Sequence, residues 1–237
     1  MHPKRTDPIW TPGQTLATPI GEVTLERQLG VGKSGYSHLA QLKGNPVVAK
    51  RMHNEPTPLY TFHDNKCALE YRAYVRLKRA GVPVPAMLHL NPEAKYLIKE
   101  YVEGVDGLEA VARGLITNEV IAELMTLSAA CRELKINLDW FPANFVVLGV
   151  KSDLQASRTT QNLAYIDYEI NEYADEWSFE EWGVWYWANR EGVARFLETG
   201  DSAAINDPPD SGKPIRTNRS LVQKWLNDVT DGHSDSR

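Results

Sequence analysis

Cysteine is scarce: Cys67 and Cys131 are the only two in 237 residues. Neither has a partner at metal-ligand spacing, which excludes a disulfide framework or a zinc ribbon. Two buried free thiols in a reducing compartment are expected instead. Long apolar runs are missing too, and none nears the roughly 18 residues of a membrane-spanning helix, so no membrane partner is expected. The first residues are basic and then proline-rich, without an apolar stretch; the expectation is no secretory leader and a cytoplasmic location. Positive charge is not in surplus: 26 Lys and Arg against 31 Asp and Glu leave a net charge of −5. That balance disfavours a nucleic-acid partner, which would want a basic patch. Nor is there an internal repeat. What remains is an ordinary globular composition, 42% hydrophobic, 24% charged and 9% aromatic. At roughly 150 residues per domain the length suits one or two domains with a core that needs no staple.

The residues divide into a strand-rich part and a helical part. Residues 1–18 read as a flexible arm, with Ile9 and Trp10 docking on the surface. From Gly21 the apolar residues alternate, as strands require, and three strands follow each other through a glycine-rich turn and the turn at Lys43-Gly44-Asn45. A helix is predicted over 65–80, with Asp64 as cap and Gly81 as stop; Pro83 and Pro85 forbid its continuation. Two further strands, near 87–90 and 96–102, complete a five-stranded part over 19–103. Beyond Gly104 the pattern turns helical over 104–229, followed by a tail over 230–237. Val120, Ile121, Leu124, Leu127, Cys131 and Leu134 recur at helical spacing after a cap at Thr117 or Asn118. Short strands are expected over 145–150 and 163–168, joined by a polar connection over 151–162. A helix over 179–197, a polar loop over 200–218 and a helix over 220–229 follow.

Four local signals bear on chemistry. Gly30-Val31-Gly32-Lys33-Ser34-Gly35 ends like a P-loop, but position 27 is Arg where that motif needs glycine. Alternation also resumes after Gly35, so a strand follows, not the helix a P-loop must open. The segment reads instead as a hairpin whose glycines permit close backbone approach to phosphates. Lys50 closes the apolar run 46–49, and Glu70 lies on the apolar face of the first helix with Ala73, Tyr74 and Leu77. Two opposite charges on otherwise buried faces suggest one ion pair, able to hold the lysine tip toward phosphate oxygens. Asp139-Trp140-Phe141-Pro142-Ala143-Asn144 is a D-x-x-x-x-N pattern between a helix and a strand. Ile166-Asp167-Tyr168-Glu169 places an acid at a strand end. Asp139 could accept a hydroxyl proton, and Asn144 and Asp167 are hard oxygen ligands of the kind Mg2+ prefers.

In this order and spacing the chain resembles the protein-kinase-like superfamily from Gly21 to Trp187, and in particular small bacterial serine/threonine-kinase-like proteins. The segment 70–85 is similar to lipopolysaccharide-sugar kinases, and Ile166 to Glu169 resembles the metal-binding strand of choline and aminoglycoside kinases. The resemblance implies a two-lobed α+β fold, with an antiparallel five-stranded N-lobe, one N-lobe helix and a reduced helical C-lobe. ATP would lie in the cleft under the hairpin. Gly30, Gly32 and Gly35 would cover the phosphates, Lys50 would bind them, and Glu70 would brace Lys50. The backbone of Glu100 and Val102 would meet adenine, with Lys99 near the gatekeeper position. Asp139 would be the base, and Asn144 and Asp167 would hold Mg2+.

Several positions depart from that pattern. Asn137 and Leu138 stand where the family has His-Arg or His-Gly before the base, and Phe141 stands where many protein kinases have a lysine. Tyr168-Glu169 replaces Phe-Gly, and no Ala-Pro-Glu segment follows. Three readings therefore stay open. The first is ATP- and Mg2+-dependent transfer to a protein serine or threonine hydroxyl. The second is transfer to a small aminoglycoside, choline-like or sugar acceptor. The third is a nucleotide-binding module with little catalysis. Trp177, Trp182, Trp185, Trp187, Tyr173 and Tyr186 form an aromatic stretch that could cage a cation; the spacing of Trp182, Trp185 and Tyr186 favours core packing instead. Glu169, Glu172, Asp175 and Glu176 read as a solvated face or an attraction for a cationic substrate. The sequence leaves the oligomeric state open.

Overall fold

The computed structural model describes residues 10–32, 35–53, 65–149 and 162–232. Ile9, Lys33, Ser34, Asp64, most of the polar connection over 151–162 and the end of the tail lie outside the described residues. The chain divides into two compact units, Met1–Arg76 with Pro85–Val102 and Leu77–Val84 with Glu103–Arg237. Among the described residues the architecture is mixed, with antiparallel sheets and six α-helices. Among the described residues no helix is long and apolar enough to cross a membrane.

The first unit is an antiparallel sheet of six strands: β1 (Thr15–Thr18), β2 (Gly21–Val31), β3 (Gly35–Leu42), β4 (Asn45–Met52), β5 (Met87–Asn91) and β6 (Tyr96–Glu100), in the spatial order β1-β2-β3-β4-β6-β5. Lys43 and Gly44 connect β3 to β4 with φ of 52° and 79°, the left-handed pair that matches the twist of a two-residue hairpin. Side-chain alternation then sorts the sheet into two faces. Val23, Leu25, Ala40, Val47, Ala49, Tyr96 and Ile98 form one buried cluster, closed by Trp10, Leu16, Ile20 and Leu42.

The sequence reading of five strands falls one short, because β1 lies inside the expected arm. Four residues with a single large apolar side chain carry too little alternation to announce a strand. Its pairing with β2 fixes it instead, helped by a contact of 3.2 Å between the Thr15 and Thr24 hydroxyls. Helix α1 (Lys66–Arg79) matches expectation. Asn65 supplies its cap, accepting from the Cys67 N–H at 3.0 Å, and Gly81 at φ 71° ends it.

The second unit holds β7 (Val105–Asp106), α2 (Gly107–Arg113), α3 (Asn118–Glu133), β8 (Ile136–Asn137), β9 (Phe145–Val147), β10 (Leu163–Tyr165), β11 (Asn171–Glu172), α4 (Val184–Ala188), α5 (Arg190–Thr199) and α6 (Arg219–Gly232). Strands order as β10-β9-β7 and β11-β8. Helix α3 starts at its Thr117 cap and buries Val120, Ile121, Leu124, Leu127 and Cys131, whereas Leu134 is exposed past its end. Helix α2 is not legible as periodicity. It is short, with Leu108, Ala110 and Val111 buried, Asp106 accepting from the Leu108 and Glu109 N–H groups and Gly114 in the left-handed region. The single helix expected over 179–197 is broken. A π-helical turn, Phe179–Gly183, precedes α4, and Asn189 leaves helical geometry at φ −93°, ψ 63° to cap α5.

Both thiols are buried. Burial, with the Glu70 charge adding to it, pushes Cys67 up to about 11, and burial with Glu180 pushes Cys131 up to about 12. At pH 8 the thiolate of either is therefore scarce, about one part in a thousand or less. A disulfide reagent at pH 8 is expected to label neither cysteine until denaturant unfolds the chain; stoichiometric labelling of the native protein would contradict this. His38, buried on the Trp10 face of the sheet, has its pKa held below 6.5 by desolvation. The unfolded chain then takes up the proton first. Stability is full above pH 6.5 and falls below it, by at most about 1.4 kcal/mol per pH unit for this group. Urea midpoints from pH 7.5 to 5 are expected to drop for the wild type and to drop less for His38→Phe.

Candidate functional site

In the first unit the glycine-rich segment is the β2–β3 hairpin. The Gly32 N–H donates to the Gly35 carbonyl at 2.9 Å and closes it. Its glycines differ in purpose. A Cβ on Gly35 would lie 2.4 Å from the Arg51 carbonyl oxygen, so the neighbouring strand requires glycine there. Among the described residues a Cβ on Gly30 would meet nothing within 4 Å, and one on Gly32 only the Gly35 oxygen at 3.9 Å. Packing does not explain those two, whereas a need for backbone access would.

Lys50 sits on β4 opposite Ser37 and Leu97. The alternation that sends Val47 and Ala49 to the apolar cluster sends Lys50 to the other face. There it meets Glu70 of α1, Nζ to Oε1 at 2.5 Å, with both side chains only 8% exposed. In so dry a place each charge offsets the desolvation of the other. The expected ion pair is thus present, although Lys50 and Glu70 lie in elements joined by a long connection. Glu100, at the end of β6, is tied to Ala86 twice: its N–H donates to the Ala86 carbonyl at 3.0 Å, and its Oε2 accepts from the Ala86 N–H at 2.9 Å. Val102 is the last residue of this unit. Lys99 is buried on β6, opposite Val48.

In the second unit one side chain and one carbonyl of Asn144 organise the polar residues. Asn144 Nδ2 donates to the Asp139 carbonyl at 3.2 Å, and its own carbonyl accepts from the Ile166 N–H at 2.8 Å. The antiparallel register of β9 and β10, with Phe145 opposite Tyr165, puts Asn144 and Asp167 at the same end of the pair. Asp139 Oδ1 accepts from the Phe141 N–H at 3.1 Å, which fixes the carboxylate over its own loop. Beneath it Trp140 is fully buried, stacked on Phe145, and its carbonyl takes the Trp187 indole N–H at 2.9 Å. Glycines admit this packing. A Cβ on Gly107 would lie 2.2 Å from the Pro142 oxygen, and one on Gly183 2.5 Å from Trp140 Cβ.

Asn137 braces the loop from below. Buried, it donates Nδ2 to the Ala174 carbonyl at 2.8 Å, while β8 pairs with β11. The segment after Asp167 is thereby folded back on the residues before Asp139. Arg132 of α3 adds to this, reaching the Tyr173 hydroxyl at 2.8 Å and Glu180 at 3.2 Å. Sequence reading missed Tyr165, whose buried phenol donates to the Glu169 carbonyl at 2.9 Å. Burial, then the charges of Asp167, Asp139 and Glu169, raise it well above the ordinary tyrosine value, so it stays a donor. Nothing in a three-residue apolar strand announces that role. The aromatic stretch splits. Trp187 and Tyr186 are core, Trp185 is covered by the Arg216 guanidinium at 5.6 Å, and Trp182 packs edge-on to Tyr186. Phe141 also packs edge-on to Tyr186, at 5.0 Å. Among the described residues no cluster of three or more His, Cys, Asp or Glu side chains could hold a metal by itself.

No family model matches the chain, and no curated protein matches it. Among solved structures it is similar to the BubR1 kinase domain, with a TM-score of 0.49 and 15% identity over 96% of this chain and 78% of that one. It is also similar to a mutant of the PknI kinase domain of Mycobacterium tuberculosis, with a TM-score of 0.39 and 15% identity over 78% of this chain and 77% of that one. At this identity and these scores the likeness assigns no role to any residue.

The glycines give a test that separates packing from access. Gly35→Ala is expected to cost about 1–3 kcal/mol of stability through overpacking against Arg51. Gly30→Ala is expected to change stability by less than about 0.5 kcal/mol. Equal stability losses in the two variants, measured by urea unfolding, would contradict the assignment.

Proposed function

We propose that the protein is an ATP- and Mg2+-dependent phosphotransferase that moves the γ-phosphoryl group to a hydroxyl. The observation that carries this reading is the double tie of Asn144, to Asp139 through its amide and to Ile166 through its carbonyl. One residue thereby draws a candidate base and two oxygen ligands together at the ends of β9 and β10. The donor set suits Mg2+: with Nδ2 committed to Asp139, Asn144 offers Oδ1, and Asp167 offers a carboxylate. Magnesium commonly takes only one or two such protein groups and fills its sphere with phosphate and water. Bound there, the cation would neutralise charge on the phosphates.

The remaining roles belong to the chain's own residues. Lys50, held by Glu70, presents its ammonium to the nucleotide phosphates, and the open Gly30 and Gly32 backbone lets phosphate oxygens approach. The Glu100 N–H is committed to Ala86, so its contact with adenine is through the carbonyl, and Val102 contributes its N–H. Asp139 takes the acceptor's proton as the acceptor oxygen bonds the γ-phosphorus and the bond to the β-phosphate oxygen breaks, releasing ADP. Tyr165, un-ionised beside three carboxylates, adds no further negative charge to that loop.

A protein serine or threonine is the first acceptor to test, in line with the overall resemblance of the sequence. One observation favours the small-molecule reading. The β8–β11 pairing and the Arg132 contacts fold the segment after Asp167 straight back, which leaves few residues there for docking a polypeptide. With Phe141 in place of a lysine, the loop also brings no cation of its own to the acceptor side, which suits an acceptor carrying positive charge.

ADP formation is to be measured with ATP and Mg2+ against serine- and threonine-containing peptides, aminoglycosides and amino alcohols. Asp139→Asn is expected to lower kcat by about 10²–10⁴-fold with ATP affinity retained, whereas Lys50→Met is expected to weaken ATP binding as well. ATP binding without turnover, indifferent to Asp139→Asn, would replace the enzyme with a nucleotide-binding module.

A further inference from the structure

Two buried polar residues of the first unit have no part in the roles assigned above. His53 and Lys66 are each only 5% exposed. Lys66 opens α1, one helical turn before Glu70, and its Nζ donates to the His53 carbonyl at 2.5 Å. The His53 ring meets the Gly32 carbonyl through Nε2 at 3.2 Å and packs at 5.0 Å against Tyr36. The register explains the meeting. Gly35 pairs with Met52 and Tyr36 with Arg51, so the residue one step past Met52 arrives beside the hairpin's closing bond. The Met52 N–H is itself anchored to the Lys95 carbonyl at 2.8 Å, which fixes the point from which His53 departs.

We propose that His53 is a positioning residue that fixes the Gly32 end of the hairpin to α1, through Lys66, so that one helix sets both the lysine and the glycine-rich backbone. The inference rests on the nucleotide-binding reading for its functional consequence and not for its geometry. Glycines make the hairpin approachable, and they also make it loose, since glycine loses more freedom on ordering than any other residue. A bond from a buried imidazole to a glycine carbonyl removes part of that freedom before any ligand arrives, which is pre-organisation. The bond requires the proton on Nε2.

The test has one arm without ligand and one with it. Hydrogen exchange at the Gly32 amide is to be followed by NMR in the ligand-free protein, and ATP binding by calorimetry. His53→Ala is expected to speed exchange by about tenfold and to weaken ATP binding by about 5–20-fold, raising KM while leaving kcat near the wild-type value. His53→Gln, which can place an amide N–H near Nε2, is expected to restore most of both, and His53→Asn is not. Lys66→Met should shift both readouts in the same direction as His53→Ala. Unchanged exchange in His53→Ala overturns the tether whatever the ligand does. Failure of Gln to rescue overturns it in favour of ring packing on Tyr36. Should His53→Ala not fold, the Gln and Asn variants decide. A wild type that binds no ATP while His53→Ala exchanges faster sinks the nucleotide reading and leaves the tether standing.

Discussion

A charge cannot be carried into a dry interior alone, and the first unit is arranged around that fact. Lys50 is a necessary outcome of β4 alternation, because Val47 and Ala49 claim the other face for the apolar cluster. Once there, it needs an anion at contact distance, and Glu70 must be delivered by α1. The net contribution of such a pair to stability is small, since desolvation consumes most of the attraction. Its value lies in geometry: an ammonium held by a buried carboxylate has few places to go. The cap at Asn65 and the stop at Gly81 serve this delivery by fixing where the helix begins and ends.

The second unit solves a different problem, that of holding a polar loop over an apolar floor. Trp140, Phe145, Phe179 and Trp187 form the floor, and Gly107 and Gly183 let backbone approach it where any side chain would collide. Above it the loop is tied by short-range bonds from Asp139, Asn137 and Asn144. The Asn137 amide, donating to the Ala174 carbonyl, spans the gap between the loop and the segment that follows Asp167.

Much of this was legible before any coordinates. Alternation located β2 and β3, an apolar run located β4, and helical spacing located α3, because in each case several side chains repeat one burial decision. The Lys50 and Glu70 pair followed from two charges on faces that had no room for a lone one. What escaped was of another kind. Strand β1 is too short to show a period, and the apolar stripe of α2, Leu108, Ala110 and Val111, spans too few residues to stand out. The break at Asn189 depends on a side chain choosing a neighbouring N–H over helix continuation. The functions of Tyr165 and His53 depend on cross-strand register, and register has no signature within either strand alone.

The short strand before residue 19 has a practical bearing on how this protein is handled. A recombinant fragment cut where the alternating pattern first becomes obvious would lose Trp10, Leu16 and the partner of an eleven-residue β2. It would present an uncapped sheet border together with a bared oily surface, the combination that invites chains to stack on one another. Retaining residues 10–18 keeps that surface covered.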